Sequence, residues 1–164
     1  MKRITSLSLL VLFVQGVTAT ATPAQTSEKD SAVVEREVRE VFDKWSTALG
    51  CGDKKTYLDT FWNSPRLVIR VANGEWRGIE AYRKRIEAAQ LPPASPSDYK
   101  NVEVVGLGRD AAVVTYERPA PAGATGPAGE SVIFKGTAAF IRTAEGWKIA
   151  AWHAHSVPEK SSAH

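Results

Sequence analysis

Apolar positions along the chain recur first with a helical period and later with the period of a strand. From residue 31, Val34, Val38, Val41, Phe42, Trp45, Ala48 and Leu49 fall on one side of a helix, the stripe expected where a helix packs on a core. Asp30 or Ser31 caps its start, Glu35–Arg39 and Glu40–Lys44 pair one turn apart on the wet side, and Gly50 stops it. Asp53 is placed to cap a second, shorter helix ending near Trp62, with Tyr57, Leu58, Phe61 and Trp62 as its apolar side. Asn63-Ser64-Pro65 breaks that helix, and residues 66–71 alternate as a strand. Asn73-Gly74 signals a hairpin turn, and Gly78 opens a third helix with Ile79, Tyr82, Ile86 and Ala89 on one side, ended by Pro92-Pro93. The remainder reads as strands over 99–107, 111–118, 131–142 and 147–157. Tight turns are expected at 108–110 and 144–146, and a longer Pro/Gly/Ala-rich connection at 119–130.

Helices first and antiparallel strands afterwards predict an α+β domain, not a doubly wound sheet. Three short helices cannot cover the whole concave face of a long curved sheet, so an open end should remain as a small-molecule pocket. The chain shows no internal repeat and no glycine-rich phosphate loop before a helix.

The first 21 residues stand apart from this pattern. Lys2 and Arg3 precede an apolar stretch over 4–14, and Ala19-Thr20-Ala21 is a small-residue cleavage site, the signature of a secretory signal peptide. The expected organisation is therefore a signal peptide at 1–21, a polar lead-in at 22–30, a single domain at 31–158 and a tail at 159–164, in a periplasmic or secreted protein. The apolar run falls short of the roughly 20 residues of a spanning helix, so no membrane association is expected after cleavage. Removing Lys2 and Arg3 takes the charge from +3 to 19 basic against 18 acidic residues. A nearly neutral domain has no electrostatic footprint for nucleic acid. Arg83-Lys84-Arg85, the one compact basic run, reads as a solvated helix face. Cys51 is the sole cysteine, which excludes an internal disulfide and a cysteine-based zinc site. It reads as a small helix-end residue, or as an accessible thiol between two glycines.

The order of elements, Gly52-Asp53 between the first two helices and Phe61-Trp62-Asn63-Ser64-Pro65 resemble the SnoaL-like branch of the nuclear transport factor 2-like superfamily. Gly78-Ile79-Glu80-Ala81-Tyr82 and the stretch GWKIAAWHAHS at 146–156 extend the resemblance over about residues 31–158. It implies a cone of three helices packed in a strongly curved, mixed, mostly antiparallel sheet with an open-ended pocket. It also implies a homodimer, commonly packed through the sheet's outer side. Members include isomerase-, cyclase- and dehydratase-type enzymes as well as non-catalytic binding domains, so the fold implies a pocket and not a reaction. The ketosteroid isomerase branch carries its carboxylate base after the second helix. Residues 63–74 hold no Asp or Glu, so that base is not carried over.

Period-two alternation through the last strand puts Trp147, Ile149, Ala151, His153 and His155 on one face. Trp147 and Ile149 claim the inner face for that set, aiming both histidines at the cavity unless a bulge intervenes. An inward His153 is either a hydrogen-bonded structural group, a ligand-orienting or general acid–base residue, or half of a metal pair with His155. The metal reading needs a further ligand from Glu117 or Glu103. Those two carboxylates are also the candidate proton-transfer partners of His153, with raised pKa values if they lie inside a dry cone. Arg70 and Arg118 are candidates for gripping an anionic group. Tyr57, Trp62, Tyr82 and Tyr99 are candidates for an aromatic lining with hydroxyl donors, and His155 for a ligand contact. Trp76 and Trp152 are expected on an exterior patch that a dimer covers. No nucleophile elbow is present. The expectation is an exported protein binding a small, partly apolar molecule without metal or other cofactor, with proton-transfer catalysis through His153. The alternative is a non-catalytic binding or association module.

Overall fold

The long amphipathic stripe forms helix α1 (Glu28–Cys51), which buries Val34, Val38, Phe42, Trp45, Ala48 and Leu49. The computed structural model describes residues 28–71, 74–91, 95, 98–120, 125–126 and 129–159. The expected signal peptide, Asn73 of the hairpin turn, Pro92-Pro93, much of the 119–130 connection and the end of the tail lie outside them. Helix α2 (Lys54–Asp59) starts where expected: the Asp53 carboxylate accepts the Thr56 backbone N–H at 3.0 Å, satisfying one donor the helix leaves open. It is shorter than expected, because Phe61 leaves the helix to form a parallel bridge with Ile149. Strands β1 (Val68–Val71) and β2 (Gly74–Arg77) form the early hairpin, and α3 (Ile79–Ala88) follows. Gly78 precedes α3 at φ 80°, where an added Cβ would also lie 3.3 Å from the Pro65 backbone; glycine meets both demands.

Strands β3 (Lys100–Gly106), β4 (Ala111–Pro119), β5 (Val132–Thr143) and β6 (Gly146–Pro158) complete one six-stranded sheet of order β2-β1-β6-β5-β4-β3. All neighbours are antiparallel except β1 and β6. The helices pack on one face of this curved, open sheet, which is the α+β architecture expected. Glu37 ties α1 to the β5–β6 end: its carboxylate accepts the Trp147 indole N–H at 2.9 Å and an Arg142 guanidinium N–H at 2.6 Å. No helix among the described residues is long and apolar enough to cross a membrane.

One irregularity decides which side chains reach the interior. Across β5 and β6, Phe140 pairs with Ile149 while its neighbour Ala139 pairs with Ala151. Ala150 is therefore an extra residue in β6, a bulge that shifts the alternation by one. Before it, Trp147 and Ile149 point into the core; after it, Trp152 and Ala154 do. His153 and His155 are consequently exposed on the outer face. The inward orientation expected for both histidines is corrected, and so is the outward orientation expected for Trp152.

Candidate functional site

Helical spacing brings the interior site together. Tyr57 on α2 and Tyr82 on α3 are buried, and their hydroxyls meet at 2.7 Å. Around them lie Phe42, Trp45, Phe61, Tyr99, Tyr116 and Trp152, with ring centres 5.1–6.5 Å apart in successive pairs. The Trp152 indole N–H donates to the Tyr116 hydroxyl at 2.7 Å. A cavity of about 130 Å³ opens beside this cluster, between α3 and the sheet. Its walls include Leu49, Tyr57, Trp76, Tyr82, Ile86 and Trp152, and its polar rim includes Arg85, Gln90 and Arg118.

Burial pushes the phenol pKa values of Tyr57 and Tyr82 up, with the neighbouring Tyr82 adding to the rise at Tyr57. Both phenols therefore stay protonated at neutral pH and serve as hydrogen-bond donors and acceptors, not as bases. One proton lies between the two oxygens, which leaves the second phenol O–H for another acceptor. Burial likewise raises Tyr99 and Tyr116. The Arg118 guanidinium opposes the rise at Tyr99, yet the Tyr99 hydroxyl and the Trp45 indole N–H are both buried without a well-directed hydrogen bond. Arg118 stacks over Phe134 at 5.4 Å and Arg85 over Trp76 at 5.9 Å. Among the described residues, neither guanidinium has a carboxylate partner. The arrangement offers an apolar slot walled by aromatic rings, a phenol donor at its wall and two cations at its rim.

The residues expected to act together do not meet here. His153 and His155 stack on each other outside, with ring centres 5.2 Å apart. Glu117 is on the outer face of β4, where its carboxylate accepts Lys135 Nζ at 2.6 Å and the Asn101 amide at 2.8 Å. Those bonds hold its pKa below the usual carboxylate range, opposite to the rise expected of an interior base. Glu103 is exposed opposite Thr115 on β4. The proposed assembly of His153 with Glu117 or Glu103 inside the cone is thus corrected: the bulge turns out the imidazoles, and the parity of β3 and β4 turns out the carboxylates. Arg70 is also outside, bound to Glu75 at 2.7 Å. Trp62 is half-buried beneath Arg66, 6.0 Å from that guanidinium, and lines no part of the cavity. Tyr57, Tyr82 and Arg118 line it, and Tyr99 supports its wall from the aromatic cluster.

Sequence reasoning missed Arg85 and misplaced Trp76 and Trp152. Arg85 lies three residues after Tyr82, on the same side of α3, a spacing that separates it from the solvated remainder of the Arg83-Lys84-Arg85 run. Trp76 packs against Tyr82 at 5.9 Å, inside the cone mouth.

The model of the AtzH-like family matches residues 27–160. The chain belongs to the AtzH-like family. A protein of unknown function from the DUF3225 family of Pectobacterium atrosepticum is 25% identical with a TM-score of 0.67, over 81% of this chain and 99% of that one. An NTF2-like protein of unknown function from Pseudomonas putida is 16% identical with a TM-score of 0.63, over 82% and 94%. A ketosteroid isomerase-like protein from Erwinia carotovora is 14% identical with a TM-score of 0.57, over 76% and 97%. No curated protein matches. These solved structures share the fold of this AtzH-like chain.

Proposed function

We propose that this AtzH-like protein binds a small, flat, partly apolar anion in the cone, with the apolar body between Trp76, Tyr82 and Trp152 and the anionic group at Arg118 and Arg85. The observation that carries this reading is the pairing of an aromatic slot with two guanidinium groups that no described carboxylate neutralises. The volume of about 130 Å³ sets the ligand's size, since a cavity of roughly 150 Å³ takes a single benzene ring. No carboxylate or imidazole appears among the described lining residues, which favours binding over proton transfer. The proposal therefore takes up the non-catalytic alternative.

Thermal shift and calorimetry with benzoate and with benzamide, its neutral counterpart, test the proposal. Benzoate should stabilise the protein and benzamide should not, and Arg118→Gln should abolish the difference. Equal response to both, or retention of the benzoate response in Arg118→Gln, overturns the anion assignment.

A second reading keeps catalysis but moves it to Tyr82. A phenol held protonated by burial is suited to stabilise an oxyanion developing on a bound carbonyl, and one fold neighbour is named ketosteroid isomerase-like. Substrate turnover lost in Tyr82→Phe, with the fold intact, would support that reading. The finer kinship to the SnoaL-like branch is part of the same proposal, since that branch holds both enzymes and binding domains. So are export through residues 1–21 and pairing of two copies. With Trp152 inside, the dimer contact falls to the outer-face row Val68, Ala151, Ala139 and Val113. A monomer in light scattering at micromolar concentration defeats the pairing, and an uncleaved N-terminus on the exported protein defeats the signal.

A further inference from the structure

We propose that His153 and His155 form a two-nitrogen site for a late first-row divalent ion, Cu²⁺ above Zn²⁺, on the outer face of the sheet. The bulge at Ala150 places both imidazoles on that face, one strand period apart. Their ring centres are 5.2 Å apart. With metal–nitrogen bonds of about 2.0–2.1 Å, two imidazoles at adjacent positions of one ion have ring centres about 4.5 Å apart in tetragonal and about 5 Å apart in tetrahedral geometry, so rotation of the two stacked rings brings both within reach of a shared ion. Both rings are solvent-exposed, which leaves them room to turn their nitrogens toward a common point. Among the described residues, neither imidazole has a hydrogen-bond or ion-pair partner that an ion would have to displace.

The surroundings do not oppose a cation as strongly as their cations alone would imply. Arg70 lies opposite His153 and Lys135 opposite His155, but each is already bound to a carboxylate, Glu75 and Glu117 respectively. Thr137 faces His153 from β5 and offers a hydroxyl to an ion-bound water. In a single chain a hollow lined by Val68, Arg70, Thr137, Ala139, Ala151 and His153 leaves about 380 Å³ for such waters; Val68, Ala139 and Ala151 also belong to the row proposed above for pairing, so in a dimer a second copy would border the ion in their place. No group of three or more His, Cys, Asp and Glu side chains gathers among the described residues, so the chain supplies two ligands and the ion's other positions stay open. Imidazole nitrogen with open positions favours Cu²⁺ first, following the general order of divalent affinities. The inference is independent of the cone cavity, which lies on the other face of the sheet.

The test titrates Cu²⁺ and, separately, Zn²⁺ into the full mature chain by calorimetry, with electron paramagnetic resonance of the Cu²⁺ form. One ion per chain is expected, with hyperfine splitting from two imidazole nitrogens. His153→Ala and His155→Ala should each weaken binding roughly tenfold or more, while His164→Ala should not. One ion per two chains, with dimerisation lost in the same two variants, supports the site with a second copy completing the coordination. Unchanged affinity in either His153→Ala or His155→Ala, or binding lost in His164→Ala, overturns it. Both substituted side chains are exposed, and unchanged thermal melting of the metal-free variants verifies their folds.

Discussion

Gly136→Ala tests whether the aromatic wall of the cone is packed as described. Gly136 on β5 pairs with Tyr116 on β4, and the Tyr116 ring lies across it. A Cβ added at Gly136 would fall 2.6 Å from Tyr116 Cε1 and closer still to Cζ. The ring cannot simply swing aside. It is buried, and its centre lies 5.2 Å from Tyr99, 5.4 Å from Phe42 and 5.9 Å from Trp45. Overpacking of this kind costs about 1–3 kcal/mol. Displacing the ring also breaks the Trp152–Tyr116 hydrogen bond, worth about 0.5–1.5 kcal/mol. The methyl group restricts the unfolded chain and returns about 0.4–1 kcal/mol. The net destabilisation is about 2 kcal/mol, or roughly 8 °C in melting temperature for a domain of this size.

Urea unfolding followed by tryptophan fluorescence and by far-ultraviolet circular dichroism reads this effect, since Trp45 and Trp152 both border the displaced ring. The same substitution in a Tyr116→Leu background should cost little, giving a coupling of about 1–2 kcal/mol in the double-mutant cycle. A Gly136→Ala midpoint at or above that of the unmodified protein would refute the packing, because alanine without a clash only stabilises a strand.

Four further outcomes follow from the same contacts. Tyr82→Phe leaves the fully buried Tyr57 hydroxyl without its partner and should cost about 1–3 kcal/mol by denaturant titration; adding Tyr57→Phe should recover part of that loss. The bonds from Trp147 and Arg142 lower the pKa of Glu37 from 4.5. Its contribution to stability is therefore present above that value and lost as pH falls through the lower folded value, so Glu37→Gln should flatten the acid limb of a melting-temperature profile. Burial raises Tyr57, Tyr82, Tyr99 and Tyr116 above 10.0. The unfolded phenols ionise first, so stability should be complete below pH 10 and fall as pH rises beyond it, with phenolate absorbance appearing together with loss of circular dichroism. His153→Ala should change stability by no more than about 0.5 kcal/mol and leave benzoate binding intact, and loss of that binding would overturn the outward placement of the imidazole.

The helical part of the site was legible because a period of 3.6 leaves little freedom in which residues share a face. Val34, Val38, Phe42 and Trp45 are buried together as their spacing requires, and Tyr57 and Tyr82 meet because each lies on the apolar side of its own helix. The Asp53 cap and the Gly78 turn were legible for the same local reason. Strand parity is different, since one inserted residue inverts every side chain beyond it. Ala150 and Ala151 are small enough to occupy either face, so neither announces the insertion. The signal lay further along: after Ile149 the apolar phase passes to Trp152 and Ala154, and the polar phase to His153, His155 and the sheet exterior. An unbroken alternation would have buried two imidazoles while exposing a tryptophan, the costlier arrangement of the two. The bulge reverses that choice, and with it the chemistry of the cone passes from imidazole and carboxylate to phenol and guanidinium. A fold chosen by burying Trp152 thereby leaves His153 and His155 together in water, where their nitrogens are available to a ligand that the cone itself has no means to hold.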